Sequence, residues 1–402
     1  MLRRRLLSAT VAAPVLAVAD AVAAPPRDSA PKPRRVRLEE TLRPYLNRHD
    51  LPALAAAIVQ GGAIIAAGAV GTRKAGAAIP VTLNDRFHIG SDTKALTALL
   101  AASFVEQGAL RWDTTVGDVF SDMLEGMNEG LRRVTLQQLL SHTSGIPSDN
   151  DAFGDLLTRS LTQDGLNLNE LRVWLVREWR TQPLASPPGT RFAYSNMGYT
   201  LAGAMLERVS HTSWEELIVQ RVFTPLGLRS AGFGPQSSPG RIDAPLPHRT
   251  NDDGTLKPMM AGPNADNPAI IGPAGTVHMS VPDFAAWAGW NAGEGRRPPY
   301  LVHRETLRKL HTKVIDAPPK PDSPPGTPSP GGYALGWGVV SVPWADEPLI
   351  THSGSNMMNF AMIWLRPSRD FAMVLTTNVG GNKADEALKS LSEALFRRFG
   401  GG

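Results

Sequence analysis

The chain has 402 residues, 42% apolar content, a formal net charge of +4 and no cysteine. That length supports one large or two fused domains with a sizeable core, and nothing in the composition suggests a disordered or fibrous chain. The missing cysteine excludes disulfides, thiolate catalysis and thiolate metal sites, and the sequence holds no H-E-x-x-H, P-loop or G-x-S-x-G pattern.

Residues 1–23 read as an export signal. Arg3-Arg4-Arg5 is a cationic start, Leu6 to Ala19 is apolar but interrupted by Pro14, and Ala21-Val22-Ala23 offers a small-residue cleavage site. Paired arginines before Leu6-Leu7 fit a twin-arginine signal and equally a general secretory one, both leading to a periplasmic or secreted protein of a bacterium. The run is too short to span a bilayer, so no stable membrane span is expected after cleavage. Cleavage removes three arginines and Asp20 and leaves a net charge of +2, which gives no electrostatic case for nucleic acid. Residues 24–35 form a Pro-rich linker.

From there the pattern predicts a helix over 36–49, then two apolar runs, 53–59 and 63–70, joined by Gln60-Gly61-Gly62 as a tight hairpin. The stretch Phe87-His88-Ile89-Gly90-Ser91-Asp92-Thr93-Lys94 leads into a helix apolar nearly all round, 95–107, and such a helix is buried. Residues 109–275 alternate helical segments, at 134–140, 168–179, 197–209 and 214–222, with long Pro/Gly loops. Short β-like runs follow at 335–342, 349–352, 360–365 and 371–376, and an amphipathic helix, 384–399, closes the chain. Ala317 to Pro330 reads as a Pro-rich surface loop. The fold class is therefore α+β. A central antiparallel sheet domain (36–90 plus 276–398), flanked by helices, is interrupted by a mainly helical domain (91–275) carrying long active-site loops.

Three stretches carry chemistry. In Ser91-x-x-Lys94, a hydroxyl and an amine project from one face of a helix start. Serine is a weak nucleophile until a base takes its proton, and lysine is such a base only when burial or neighbouring charge lowers its pKa from about 10.4. Free N–H groups at the helix start also favour an oxyanion. The spacing alone proves little, because Ser29-x-x-Lys32 matches it inside the linker; only Ser91 opens a buried helix. In Tyr194-Ser195-Asn196, a phenol near an ammonium is a candidate general base or proton shuttle, and the amide can orient substrate or lysine. In Thr351-His352-Ser353-Gly354-Ser355, an edge strand could lay a peptide-like substrate alongside itself and offer the Ser355 N–H to an oxyanion.

The order Ser91-x-x-Lys94, Tyr194-x-Asn196, His352-Ser353-Gly354 resembles the penicillin-recognising serine hydrolases: class C β-lactamases, D-alanyl-D-alanine carboxypeptidases and family VIII-type esterases. Ser141-His142-Thr143-Ser144-Gly145, Pro188-Gly189-Thr190, Pro273-Ala274-Gly275 and Gly336-Trp337-Gly338 match in order, so the likeness covers about 36–398. The resemblance implies a β-lactamase/transpeptidase-like fold, no cofactor or metal, and a small ester, peptide or β-lactam as substrate. It makes Ser91 the acylated nucleophile, Lys94 its proton-transfer partner and Tyr194 a general base or acid. Asn196 positions the substrate amide, the N–H groups of Ser91 and Ser355 form the oxyanion hole, and His352, Ser353 and Gly354 line the far wall. Which of Lys94 and Tyr194 is the base stays open.

One departure bears on the substrate. Many β-lactamases carry lysine where this chain has His352, which is mostly neutral near pH 7 at an unperturbed pKa of about 6.5. Losing a charge-assisted contact costs roughly 1.5–3 kcal/mol of carboxylate recognition. The favoured expectation is an exported hydrolase of an ester or a D-alanyl-type amide. The alternatives are a class C-like β-lactamase and a penicillin- or wall-binding protein without turnover. His142 reads as a structural turn residue, His88 as a strand residue, and Trp287 and Trp290 as core.

Overall fold

The computed structural model describes residues 35–262, 264–317 and 331–400. The expected export signal, nearly all of the expected linker, the Ser29-x-x-Lys32 decoy and most of the loop up to Pro330 lie outside the described residues. From Arg35 onward the chain forms one compact unit.

The expected α+β class is what the chain builds. Among the described residues its main sheet has nine strands, in the order Val36–Arg37, Ala63–Gly71, Ala53–Gln60, Phe371–Thr377, Phe360–Arg366, Leu349–Ser355, Gly338–Val340, Gly331–Tyr333 and Ile315–Ala317. Every pairing is antiparallel except Val36–Arg37 with Ala66–Ala67. The strands come from both ends of the chain, and the long helices Leu168–Trp179 and Asn196–Ser210 lie between them in sequence.

Side-chain alternation along the strands divides the interior in two. Ala53, Ala55, Ala57 and Val59 face the larger core, together with Ala361, Ile363, Ala372 and Val374. Leu54, Ala56 and Ile58 face the smaller one, with Phe360, Met362, Met373 and Leu375. The small alanines on the first face let helix Val281–Ala292 lie directly across the sheet. On the opposite face pack helices Glu39–Arg48 and Asn382–Phe399, through Leu42, Leu388, Leu391 and Leu395. Burial on both sides explains why the central strands read as continuous apolar runs.

Helix Thr93–Glu106 sits in the larger core, with eleven residues from Thr93 to Phe104 buried. Its apolar circumference therefore marked the centre of the molecule, as the sequence suggested.

Several boundaries differ from expectation. Val36–Arg37 is a short parallel strand, and the first helix begins only at Glu39. The run 335–342 is not one strand: Ala334 N–H bonds the Trp337 carbonyl at 2.7 Å, making a turn between Gly331–Tyr333 and Gly338–Val340 that rests on the central helix. Helix Trp214–Ile218 widens into a π-helical turn, Val219–Phe223, before Pro225. The stretch after 276 also contains helices Val281–Ala292 and Arg304–His311 among its strands. Among the described residues no helix is long and apolar enough to cross a membrane.

Candidate active site

Strand Arg86–His88 delivers the chain to a 3-10 turn, Gly90–Asp92, that opens the central helix. This turn presses against the strand carrying the third motif, and two glycines permit the contact. A Cβ on Gly90, whose φ is +53°, would fall 2.4 Å from Ser355 N; one on Gly354 would fall 1.9 Å from the Ile89 carbonyl and 2.5 Å from Ser91 N. Any side chain at either position collides with backbone. The amides of Ser91 and Ser355 are thereby brought together beside the Ser91 hydroxyl, the arrangement an oxyanion hole requires.

Lys94 is fully buried. Its Nζ lies 2.9 Å from Ser91 Oγ, 2.7 Å from Asn196 Oδ1 and 2.7 Å from the Ala274 carbonyl. Desolvation lowers its pKa from 10.5 to about 7, while the charges of Asp149 and Asp92 oppose the shift. Near neutral pH a large share of Lys94 is therefore free amine. A free amine has two N–H donors and one lone pair. The Asn196 and Ala274 oxygens accept only, so they take the two donors, and the lone pair is left facing Ser91.

Tyr194 and Asn196 come from the start of helix Asn196–Ser210, whose cap is Ser195: its Oγ accepts the Gly198 N–H at 3.2 Å. Tyr194 is hydrogen-bonded to Ser91 through its hydroxyl. Lys94 Nζ lies 4.7 Å from the Tyr194 ring centroid. Burial pushes the Tyr194 phenol well above its usual pKa, and the bond to Ser91 only partly offsets this. Tyr194 is thus a neutral phenol, suited to relaying a proton but not to removing the first one.

His352 is buried (1% exposed), with Nδ1 2.9 Å from the Ser353 carbonyl and Nε2 3.0 Å from the Tyr333 hydroxyl. Burial, reinforced by Lys94, pushes its pKa down to about 3, so the imidazole is neutral throughout the ordinary pH range. Nδ1 also lies 3.6 Å from Asp92, whose carboxyl is driven well above its usual range by burial. Strand Leu349–Ser355 was expected as an edge strand; it is interior to the sheet as far as Thr351, and strand pairing on its second side ends there, before the rest of the motif. It pairs with Phe360–Arg366 along its length and with Gly338–Val340 up to Thr351, because the sheet continues three strands further. Ser355 Oγ bonds the Asn359 carbonyl at 2.8 Å and shapes the turn beyond the motif.

The structure thus gathers Ser91, Lys94, Tyr194, Asn196, Gly354 and Ser355 around one point, with His352 behind them. Sequence reasoning missed four further members. Asp149 receives both the backbone N–H and the side-chain amide of Asn196, at 3.1 and 2.5 Å. His142, set aside as a turn residue, accepts the Ser195 N–H at 3.1 Å and packs tilted against Tyr194 with ring centroids 4.3 Å apart. Tyr333 closes the space behind His352, and Ala274 supplies its carbonyl. The Pro273-Ala274-Gly275 motif was the available signal for Ala274; loop residues brought together only by folding gave none for Asp149 or Tyr333. His88 serves its own strand, bonding the Gly90 N–H through Nδ1 at 3.0 Å with Nε2 2.7 Å from Asp266.

The segment carrying Ala274 is held from behind by an ion cluster. The buried Arg172 guanidinium binds Glu207 and Glu215 and donates to the carbonyls of Ile270 and Ala269 at 2.9 and 3.1 Å. Removing one member of a buried ion cluster leaves uncompensated charge. Arg172→Met is accordingly expected to lower stability by roughly 3–5 kcal/mol, read from the denaturant midpoint; a loss below ~1 kcal/mol would show that the carboxylates find other partners.

The nine-stranded sheet and this cluster define a protein of the β-lactamase/transpeptidase fold. Residues 38–396 match the Beta-lactamase family, and the chain belongs to that family. It is 27% identical over 342 residues to penicillin-binding protein 4 of Amycolatopsis lactamdurans, covering 83% of this chain and 82% of that protein. It is 24% identical over 351 residues to protein flp of Staphylococcus aureus, spanning 64% of that longer protein. The solved structure of the octameric penicillin-binding protein homologue from Pyrococcus abyssi superposes with a TM-score of 0.69 at 26% identity, covering 88% of this chain and 76% of that one.

Proposed function

We propose that the chain is an exported serine hydrolase that forms an acyl-enzyme at Ser91 and hydrolyses an ester or a D-alanyl-type amide. The observation that carries this reading is the aim of Lys94: two acceptor oxygens hold its N–H groups and leave the lone pair on Ser91. Ser91 Oγ attacks the substrate carbonyl carbon as its proton passes to Lys94 Nζ. The carbonyl oxygen becomes an oxyanion and accepts the N–H groups of Ser91 and Ser355. Lys94 returns the proton through the Tyr194 hydroxyl to the leaving oxygen or nitrogen, and the carbon–heteroatom bond breaks. Water then repeats the sequence on the acyl-enzyme: its proton goes to Lys94, and Ser91 regains one as the acid departs. The N-terminal signal pattern supports export to the periplasm or beyond.

Neutral His352 supplies no fixed cation for a substrate carboxylate, which puts β-lactam turnover second and, within the favoured pair, favours an ester over a D-alanyl peptide that ends in a free carboxylate. Membership of the Beta-lactamase family is what keeps that second reading alive. The test is a panel of nitrophenyl esters, D-Ala-D-Ala peptides and a chromogenic cephalosporin, with the intact mass of the protein followed alongside. Ester or peptide turnover with a transient acyl adduct that Ser91→Ala abolishes is the expected result. Fast cephalosporin turnover with no ester or peptide hydrolysis would reverse the order, and a permanent adduct without turnover would indicate a binding protein.

A further inference from the structure

We propose that Asp149 is a positioning residue that aims the Lys94 lone pair at Ser91 by holding the Asn196 amide in one orientation. The inference rests on Lys94 as proton acceptor and extends the site to a loop that none of the sequence motifs included. Asp149 precedes Asn150, whose side chain caps helix Asp151–Ser160 by accepting the Phe153 N–H at 3.0 Å, so the loop is anchored at its far end. The Asp149 carboxylate is exposed yet clamps Asn196 at two points, the backbone N–H on Oδ1 and the side-chain Nδ2 on Oδ2.

A carboxylate only accepts, so the NH2 of Asn196 must face it and the amide oxygen must face Lys94. If the amide turned over, its NH2 would meet Lys94 Nζ, and the lone pair would go to that N–H instead of the serine. The Asp149 charge has a separate effect: it favours the ammonium against desolvation and so raises the basicity of Lys94. The other groups facing Lys94 do not duplicate this. Asp92 makes no hydrogen bond to Asn196 and its carboxyl is driven well above its usual range by burial, the faces of Tyr194 and Tyr199 lie at 4.7 and 5.6 Å, and burial lowers the pKa of both His142 and His352.

Asp149→Asn separates orientation from fold. The asparagine oxygen can accept the Asn196 N–H, but its NH2 then opposes the Asn196 NH2 and forces the flip. Lys94 ionisation is read directly from the Nζ signal of lysine-labelled protein by 15N NMR, assigned with Lys94→Arg. The pKa is expected to fall by about one unit in Asp149→Asn, because both an acceptor and a negative charge are lost. Acylation of Ser91 by a nitrophenyl ester should slow roughly a hundredfold, and in an Asn196→Ala background the same substitution should add less than about threefold. An unchanged Lys94 titration, or the full rate loss persisting without Asn196, would overturn the proposal. Should wild-type Ser91 accept no acyl group, the hydrolase reading falls, while the NMR titration still decides the role of Asp149.

Discussion

Gly354→Ala is expected to lower kcat/KM for the best ester by about three orders of magnitude, although the substitution adds only one methyl group and removes no polar atom. The new Cβ would stand 1.9 Å from the Ile89 carbonyl and 2.5 Å from Ser91 N, both backbone atoms that no rotamer change can move aside. The strand and the nucleophile turn must part. The Ser355 N–H then leaves the oxyanion, a loss of about a hundred- to a thousandfold by itself, and Ser91 shifts relative to Lys94. Steady-state kinetics with circular dichroism would check it. A folded alanine variant with near-normal kcat/KM would show that the two backbones need not touch for catalysis.

Lys94→Met carries the second large effect. It is expected to cut kcat by about ten-thousandfold, since it removes the proton acceptor while roughly preserving volume. In the wild-type protein kcat/KM should rise with pH through about 7, as the ammonium becomes amine. Stability should also rise with pH, over the range just above it. The folded-state pKa of Lys94 is depressed from 10.5 to about 7, so burying it is most unfavourable below about 7, and the penalty fades as pH rises towards 10.5. Any gain in Tm of the methionine variant over wild type should therefore be largest at or below pH 7 and shrink above it. A difference independent of pH would mean that Lys94 is not desolvated as the structure has it. Such a gain would be the usual exchange between activity and stability, with the active site carrying the strain.

The sheet and the central helix were legible because burial on both faces leaves unbroken apolar runs in the sequence. Ser91, Lys94, Tyr194 and Asn196 were legible because short motifs place them at element starts, where backbone geometry is stereotyped. The turn at Ala334–Trp337 was hidden because a leucine–glycine–tryptophan run looks like strand until the central helix is seen beneath it. Asp149 was hidden because its partner lies 47 residues away, and only folding brings the loop to Asn196. The direction of the His352 effect followed from residue type, but its strength came from burial among Tyr333, Asp92 and Lys94, which no local pattern records.

The division of the interior into two cores has a practical meaning for handling the molecule. Ser91 and its neighbours draw on the larger core, whereas the first and last helices share the smaller one on the reverse of the sheet. They also meet at the surface, with Arg398 donating to the Thr41 hydroxyl at 3.1 Å. The two ends of the folded region are thus neighbours behind the catalytic layer. A short linker could join them and the chain be reopened in a surface loop, giving a circular permutant. Either end could also be coupled to a solid support, with Ser91 on the side of the sheet away from it.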